Sequence, residues 1–170
     1  MKTLKYSLIL LGLSAVLGAS GADAGQKTKT LKAFTTTDPT ISKDVAVTAD
    51  QTWAATCTNA QVIHLFEVAK PGVEDCMVIY RVKLKTEGLS GPAYLEMWCR
   101  FPGKGEFFSR DLEHPISGSN DWASFETPFF LKKGEQPDLI KLNVVVKGGG
   151  KVWVKDVELI KAPLPTGRGK

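Results

Sequence analysis

The segment AYLEMWCRFPGKGEFFSR, residues 93–110, gathers the side chains best equipped for chemistry in this chain. Successive residues of an extended strand point to opposite faces. Tyr94, Glu96, Trp98 and Arg100 therefore share one face, and Ala93, Leu95, Met97, Cys99 and Phe101 share the other. The odd-numbered set is core material. The even-numbered set is amphipathic: aromatic rings stack on the apolar C–H faces of sugars, and a carboxylate and a guanidinium can each grip a pair of hydroxyls. Tyr94, Glu96, Trp98 and Arg100 are accordingly the candidate ligand-binding residues, and Arg81 and Lys83 on the preceding strand could extend their surface. The competing expectation is that the loop FPGKGEFF covers Tyr94 and Trp98, which then serve packing alone.

No comparable pattern supports catalysis. His64 lies in the apolar strand VIHLF with no nucleophile motif beside it, and His114 lies in the loop DLEHPISGSND. Glu96 and Glu106 would make a glycosidase pair only if their carboxyls stood about 5–10 Å apart across a cleft, and nothing in their spacing demands that. The expectation is a chain that is not an enzyme. Cys57, Cys76 and Cys99 match no zinc spacing, and two distant histidines do not complete one. The net charge of +4 comes from lysines interspersed with acids. No nucleic-acid partner is expected from so mild an excess.

The elements that must position these residues are strands. No segment sustains an i, i+3, i+4 apolar pattern long enough for a helix, whereas period-2 alternation recurs between Gly, Pro, Asn and Asp punctuation. In residues 76–85, Cys76, Val78, Tyr80, Val82 and Leu84 alternate with Arg81, Lys83 and Lys85, and the turn TEGLSGP follows. Further strands are expected over 61–68, 106–111, 122–131, 138–146 and 151–160. Phe125, Thr127, Phe129 and Leu131 line up in one, and Ile140, Leu142, Val144 and Val146 in the next. Val152 and Val154 are out of phase with Val157 and Leu159, which predicts a bulge near Asp156. Eight to ten short strands argue for an all-β antiparallel β-sandwich, with a jelly roll as the leading version.

The N-terminus reads as an export signal. Lys2 and Lys5 precede an uncharged run from Ser7 to Gly18, and Ala22-Asp23-Ala24 offers a cleavage site before Gly25. The run is shorter than the ~20 residues of a membrane span, so no transmembrane span is expected after cleavage and the location is periplasmic or secreted. The expected organisation is a signal peptide over 1–24, a leader with possible edge strands over 25–48, a sandwich over 49–162 and a flexible basic tail over 163–170. Export favours an oxidised cysteine pair. A turn centred on Glu87-Gly88 would set Cys76 opposite Cys99, and if the strands lay in opposite sheets both thiols would still enter one core. A Cys76–Cys99 disulfide with a free Cys57 is therefore expected.

From Trp122 onward a more specific pattern emerges: Trp122, Phe125, Thr127-Pro128-Phe129, Gly134, Leu142, Val144, Gly149-Gly150, Val152-Trp153-Val154 and Asp156-Val157-Glu158-Leu159. It resembles the last three strands of carbohydrate-binding-module jelly rolls of the galactose-binding-like class, with Lys155 standing where that class usually has a second acid. The resemblance implies a structural calcium as the one possible cofactor, with Asp156 as its ligand. Calcium takes about 6–8 oxygens, and with no acidic cluster nearby, capping of the bulge is the favoured role for Asp156. Fold resemblance and polar-aromatic face together suggest an exported, non-catalytic module binding a cell-wall or extracellular polysaccharide. The alternative is a structural or protein-interaction domain whose partner is a cell-envelope protein.

Overall fold

The computed structural model describes residues 27–165, so the expected signal segment and the last five residues of the tail lie outside the described residues. Among the described residues nine strands follow one another: β1 Lys29–Ala33, β2 Val45–Val47, β3 Trp53–Cys57, β4 Gln61–Ala69, β5 Cys76–Phe101, β6 Gly105–Arg110, β7 Ile116–Leu131, β8 Leu139–Val146 and β9 Gly150–Ala162. Every pairing is antiparallel, and no helix occurs among the described residues. The expected strands are present, β5 and β7 running longer than their patterns suggested. β3 was not anticipated, because WAATC is short and largely built of small residues. β1 and β2 occupy the leader as edge strands, on β9 and β3 respectively.

The long strand β5 organises the molecule. Its first half pairs with β9 on one side and β7 on the other, and its second half pairs with β8 and β6. In the first half the buried side chains are even-numbered (Val78, Tyr80, Val82, Leu84), and in the second half odd-numbered (Ala93, Leu95, Met97, Cys99), yet all belong to one hydrophobic cluster. A flat strand would send those two sets to opposite faces. Instead the chain turns over between Thr86 and Ala93, where its register with β7 slips repeatedly, and the halves face each other across the core. One layer is thus β2-β3-β9-β5-β7 with β1 beside β9, and the other is β4-β8-β5-β6. The turnover is pinned by Gly150, whose φ is +134° and where a Cβ would lie 2.8 Å from both the Gly88 carbonyl oxygen and Leu89 Cα.

This topology overturns the expected disulfide. Residues 76–101 form no hairpin: Cys76 is opposite Leu131 in one layer, and Cys99 lies between Ile140 and Phe107 in the other. Packed layers stand about 10 Å apart, beyond the roughly 7 Å limit for bridged Cα atoms. Cys57, Cys76 and Cys99 are all free and buried. The bulge does form. Lys155 is opposite Lys83 and Glu158 opposite Arg81, so Asp156 and Val157 both oppose Val82, with Asp156 left-handed at φ 52°. The extra residue keeps Val154 and Val157 both in the core, at 2% and 1% exposure.

Candidate functional site: the outer face of the β4-β8-β5-β6 layer

Antiparallel register places side chains of neighbouring strands in rows. On the outer face of this layer one row runs His64, Asn143, Glu96, Arg110, one residue from each strand. The members are joined in sequence. Asn143 Oδ1 meets His64 Nδ1 at 3.1 Å, Asn143 Nδ2 donates to Glu96 Oε1 at 3.2 Å, and Arg110 Nε donates to Glu96 Oε2 at 2.6 Å. Glu96 is 4% exposed. Burial pushes its carboxyl upward, but the Trp98 indole, the Arg110 guanidinium and the Asn143 amide more than offset this and hold it below the usual glutamate range. The result is a fixed negative charge on the floor of a sheet face.

The next row is aromatic. Trp98 lies between Lys141 and Phe108, its ring centroid 5.1 Å from that of Phe108 with the planes tilted by 54°. The Arg110 guanidinium covers Phe108 at 4.1 Å, tying the two rows together. Trp98 is half-buried and Phe108 is 51% exposed. Beyond them Arg100 grips Asp138 with two hydrogen bonds of 2.8 and 3.1 Å, and Lys141 meets Glu106 at 2.7 Å. Beside this face an open groove of about 1050 Å³ is bounded by residues 108–114 and 123–130.

Of the four candidate residues, Glu96 and Trp98 stand at the centre of this cluster. Tyr94 shares their face but is nearly buried, and Arg100 is already committed to Asp138. The loop FPGKGEFF does not lie over the aromatics. It turns the chain so that β6 pairs beside β5, and the Phe108 ring meets Trp98 from the side. Arg81 and Lys83 do not extend the surface. They belong to the first half of β5, in the opposite layer, where Arg81 pairs with Glu126 and Lys83 with Asp156. The sequence reading missed His64, Phe108, Arg110 and Asn143 as members of the cluster. The alternation Glu106, Phe108, Arg110 across a tight turn from Trp98 was a usable signal for two of them. Asn143 and His64 are joined by long-range pairing that no local pattern displays.

Glu96 and Glu106 make no glycosidase pair. They are opposite Arg110 and Arg100 respectively, four residues apart along the ladder, or about 13 Å. Nor do the surroundings of Asp156 fit calcium. The Lys83 ammonium sits 2.8 Å from its carboxylate, and no group of three His, Cys, Asp or Glu side chains suited to a metal occurs among the described residues.

No protein-family model and no curated protein sequence matches the chain. Solved structures do. The CBM22-1 xylan-binding domain from Paenibacillus barcinonensis Xyn10C superimposes with a TM-score of 0.56 at 12% identity, covering 83% of this chain and 99% of that one. A family 16 carbohydrate-binding module gives 0.49 at 8% identity, with 71% and 88% covered. The Stig cyclase Fisc from Fischerella sp. TAU gives 0.46 at 9% identity, with 78% and 99% covered. The chain has the jelly-roll β-sandwich fold of carbohydrate-binding modules.

Proposed function

We propose that this chain is an exported, non-catalytic module that binds polysaccharide on the outer face of the β4-β8-β5-β6 layer, centred on Trp98, Phe108 and the Glu96–Arg110 pair, with Tyr94 and Arg100 at its margins. One observation carries the proposal: a half-buried tryptophan leans on an exposed phenylalanine directly beside a carboxylate that is held ionised and immobile. Trp98 and Phe108 supply a platform for the C–H face of a sugar ring. The Glu96 carboxylate is 4% exposed and held by Arg110, Asn143 and the Trp98 indole, so its part is to fix the Arg110 guanidinium and the Trp98 ring for a ligand to meet. Arg110 engages Glu96 through Nε, so its terminal nitrogens remain as donors. These groups are fixed before a ligand arrives, which lowers the ordering cost of binding. The fold supports the proposal without assigning a ligand, since sites are grafted onto folds.

Polysaccharide pull-down and glycan-array binding, with the wild type and Trp98→Ala, test this. Loss of the stacking ring is expected to weaken binding about tenfold, or 1.4 kcal/mol. Binding that survives Trp98→Ala unchanged would move the site elsewhere. Binding by neither protein would favour the second reading, a structural or interaction domain of the cell envelope. That reading draws on the exposed Phe107, Phe108, Leu112 and Phe130.

A further inference from the structure

Among the described residues β6 is the outermost strand of its layer, pairing with β5 and with no other strand. The Asp111 N–H donates to the Leu95 carbonyl at 3.1 Å, making these a hydrogen-bonded pair. Strict alternation along an antiparallel ladder then assigns the main-chain groups of Ser109 and Phe107 to β5, opposite Met97 and Cys99. The N–H and C=O groups of Glu106, Phe108 and Arg110 are left pointing away from the sheet. β7 touches β6 through a side chain, the Ser109 hydroxyl donating to the Pro128 carbonyl at 2.6 Å, and does not occupy that edge. An open edge with neither proline nor bulge invites another strand. Phe107 and Phe108, both 51% exposed, flank this one.

The sequence of the edge specifies its occupant. If a second copy of β6 pairs antiparallel with the first about a two-fold axis through Phe108, then Phe108 is opposite its own copy and Glu106 is opposite Arg110 on both sides. This register joins the three residues whose main-chain groups point outward, so the ladder bonds and the charge pairs agree. Glu106 touches Lys141 through Oε1 and Arg110 touches Glu96 through Nε, which leaves Oε2 and the terminal guanidinium nitrogens free to meet. A patch that is its own complement is the requirement for a closed two-fold interface. We propose that this protein dimerises by pairing β6 with β6 of a second copy in the register centred on Phe108. The pairing fuses two four-stranded layers into one of eight and sets the two Trp98–Phe108 platforms side by side. The dimer itself requires no glycan binding.

Analytical ultracentrifugation of the purified protein and cysteine cross-linking test the inference. The wild type is expected to show a concentration-dependent monomer–dimer equilibrium, and Glu106→Arg, which sets arginine against Arg110, should weaken it at least tenfold. The native thiols are buried, so an introduced thiol is the reactive one. A hydrogen-bonded pair has Cα atoms about 5.5 Å apart, within disulfide range, so Phe108→Cys should cross-link rapidly under mild oxidant. Glu106→Cys, about 14 Å from its copy in this register, should not. A monomer at every concentration up to about 1 mM, or cross-linking through Glu106→Cys as fast as through Phe108→Cys, would overturn the proposal. Dimerisation without polysaccharide binding would leave it standing and remove only the proposed function.

Discussion

Glu96 and Arg110 form a 2.6 Å ion pair between neighbouring strands, the carboxylate side chain 5% exposed and the guanidinium side chain 33%. The pair is one-sided: Arg110 can return to water if its partner is lost, whereas Glu96 cannot. Truncating the exposed member should therefore cost more than a surface ion pair is worth, because it strands the buried one. Arg110→Met is expected to destabilise the fold by about 2 kcal/mol in urea melts at pH 7.

The same pair predicts a pH dependence. The folded-state pKa of Glu96 lies below its unfolded value. Its contribution is therefore fully present above the unfolded pKa, about 4.3, and is lost as pH falls through the folded value. The stability gap between wild type and Arg110→Met should narrow as pH is lowered from 5 to about 3. A gap that widened in that window would show that Glu96 is not the ionised partner.

Met97 and Trp98 are adjacent on β5 but face opposite ways, Met97 fully buried in the core and Trp98 half-buried outside it. Met97→Asp puts a carboxylate where nothing can pair with it and should remove several kcal/mol, on the order of the whole stability of such a domain. Trp98→Ala should cost about 1–2 kcal/mol, below the 3–5 of a core tryptophan. Urea denaturation of both variants separates the two faces without any ligand.

Gly150 and Gly88 meet where β5 turns over, yet differ in what a side chain would find. A Cβ at Gly150 would collide with backbone at 2.8 Å, whereas one at Gly88, φ +62°, meets nothing within 4 Å. Gly88→Ala should cost only the left-handed penalty of about 1–2 kcal/mol. Gly150→Ala should lower the melting temperature further, because the turnover itself must shift.

Burial raises the thiols of Cys57 and Cys76 above their ordinary range and pushes Cys99 up to about 12. Reactivity follows the thiolate, so a thiol reagent should label the folded protein slowly and label all three cysteines once urea is added. Reductant should leave the melting temperature unchanged. A drop on reduction would reinstate a disulfide.

Local chemistry made much of this molecule legible. Alternation marks a strand because a half-buried sheet must send every second side chain inward, so the inner faces of residues 76–84, 93–101 and 140–146 could be read without coordinates. The bulge at Asp156 announced itself by a phase change that only an extra residue can absorb. The turnover of β5 was decided elsewhere. Residues 86–92 carry turn signals that fit a hairpin equally well, and the choice depends on β8 and β9 filling the edges that a hairpin would have paired. That choice separated Cys76 from Cys99 and sent Arg81 and Lys83 to the far layer. It also assembled His64, Asn143, Glu96 and Arg110, drawn from four strands, into one row. Which face of each strand is buried can be read along the chain, because that depends on neighbours two residues away. Which strands lie side by side, and so which polar residues meet, was determined only by the tertiary structure, because register between distant strands is set by the packing of the whole core.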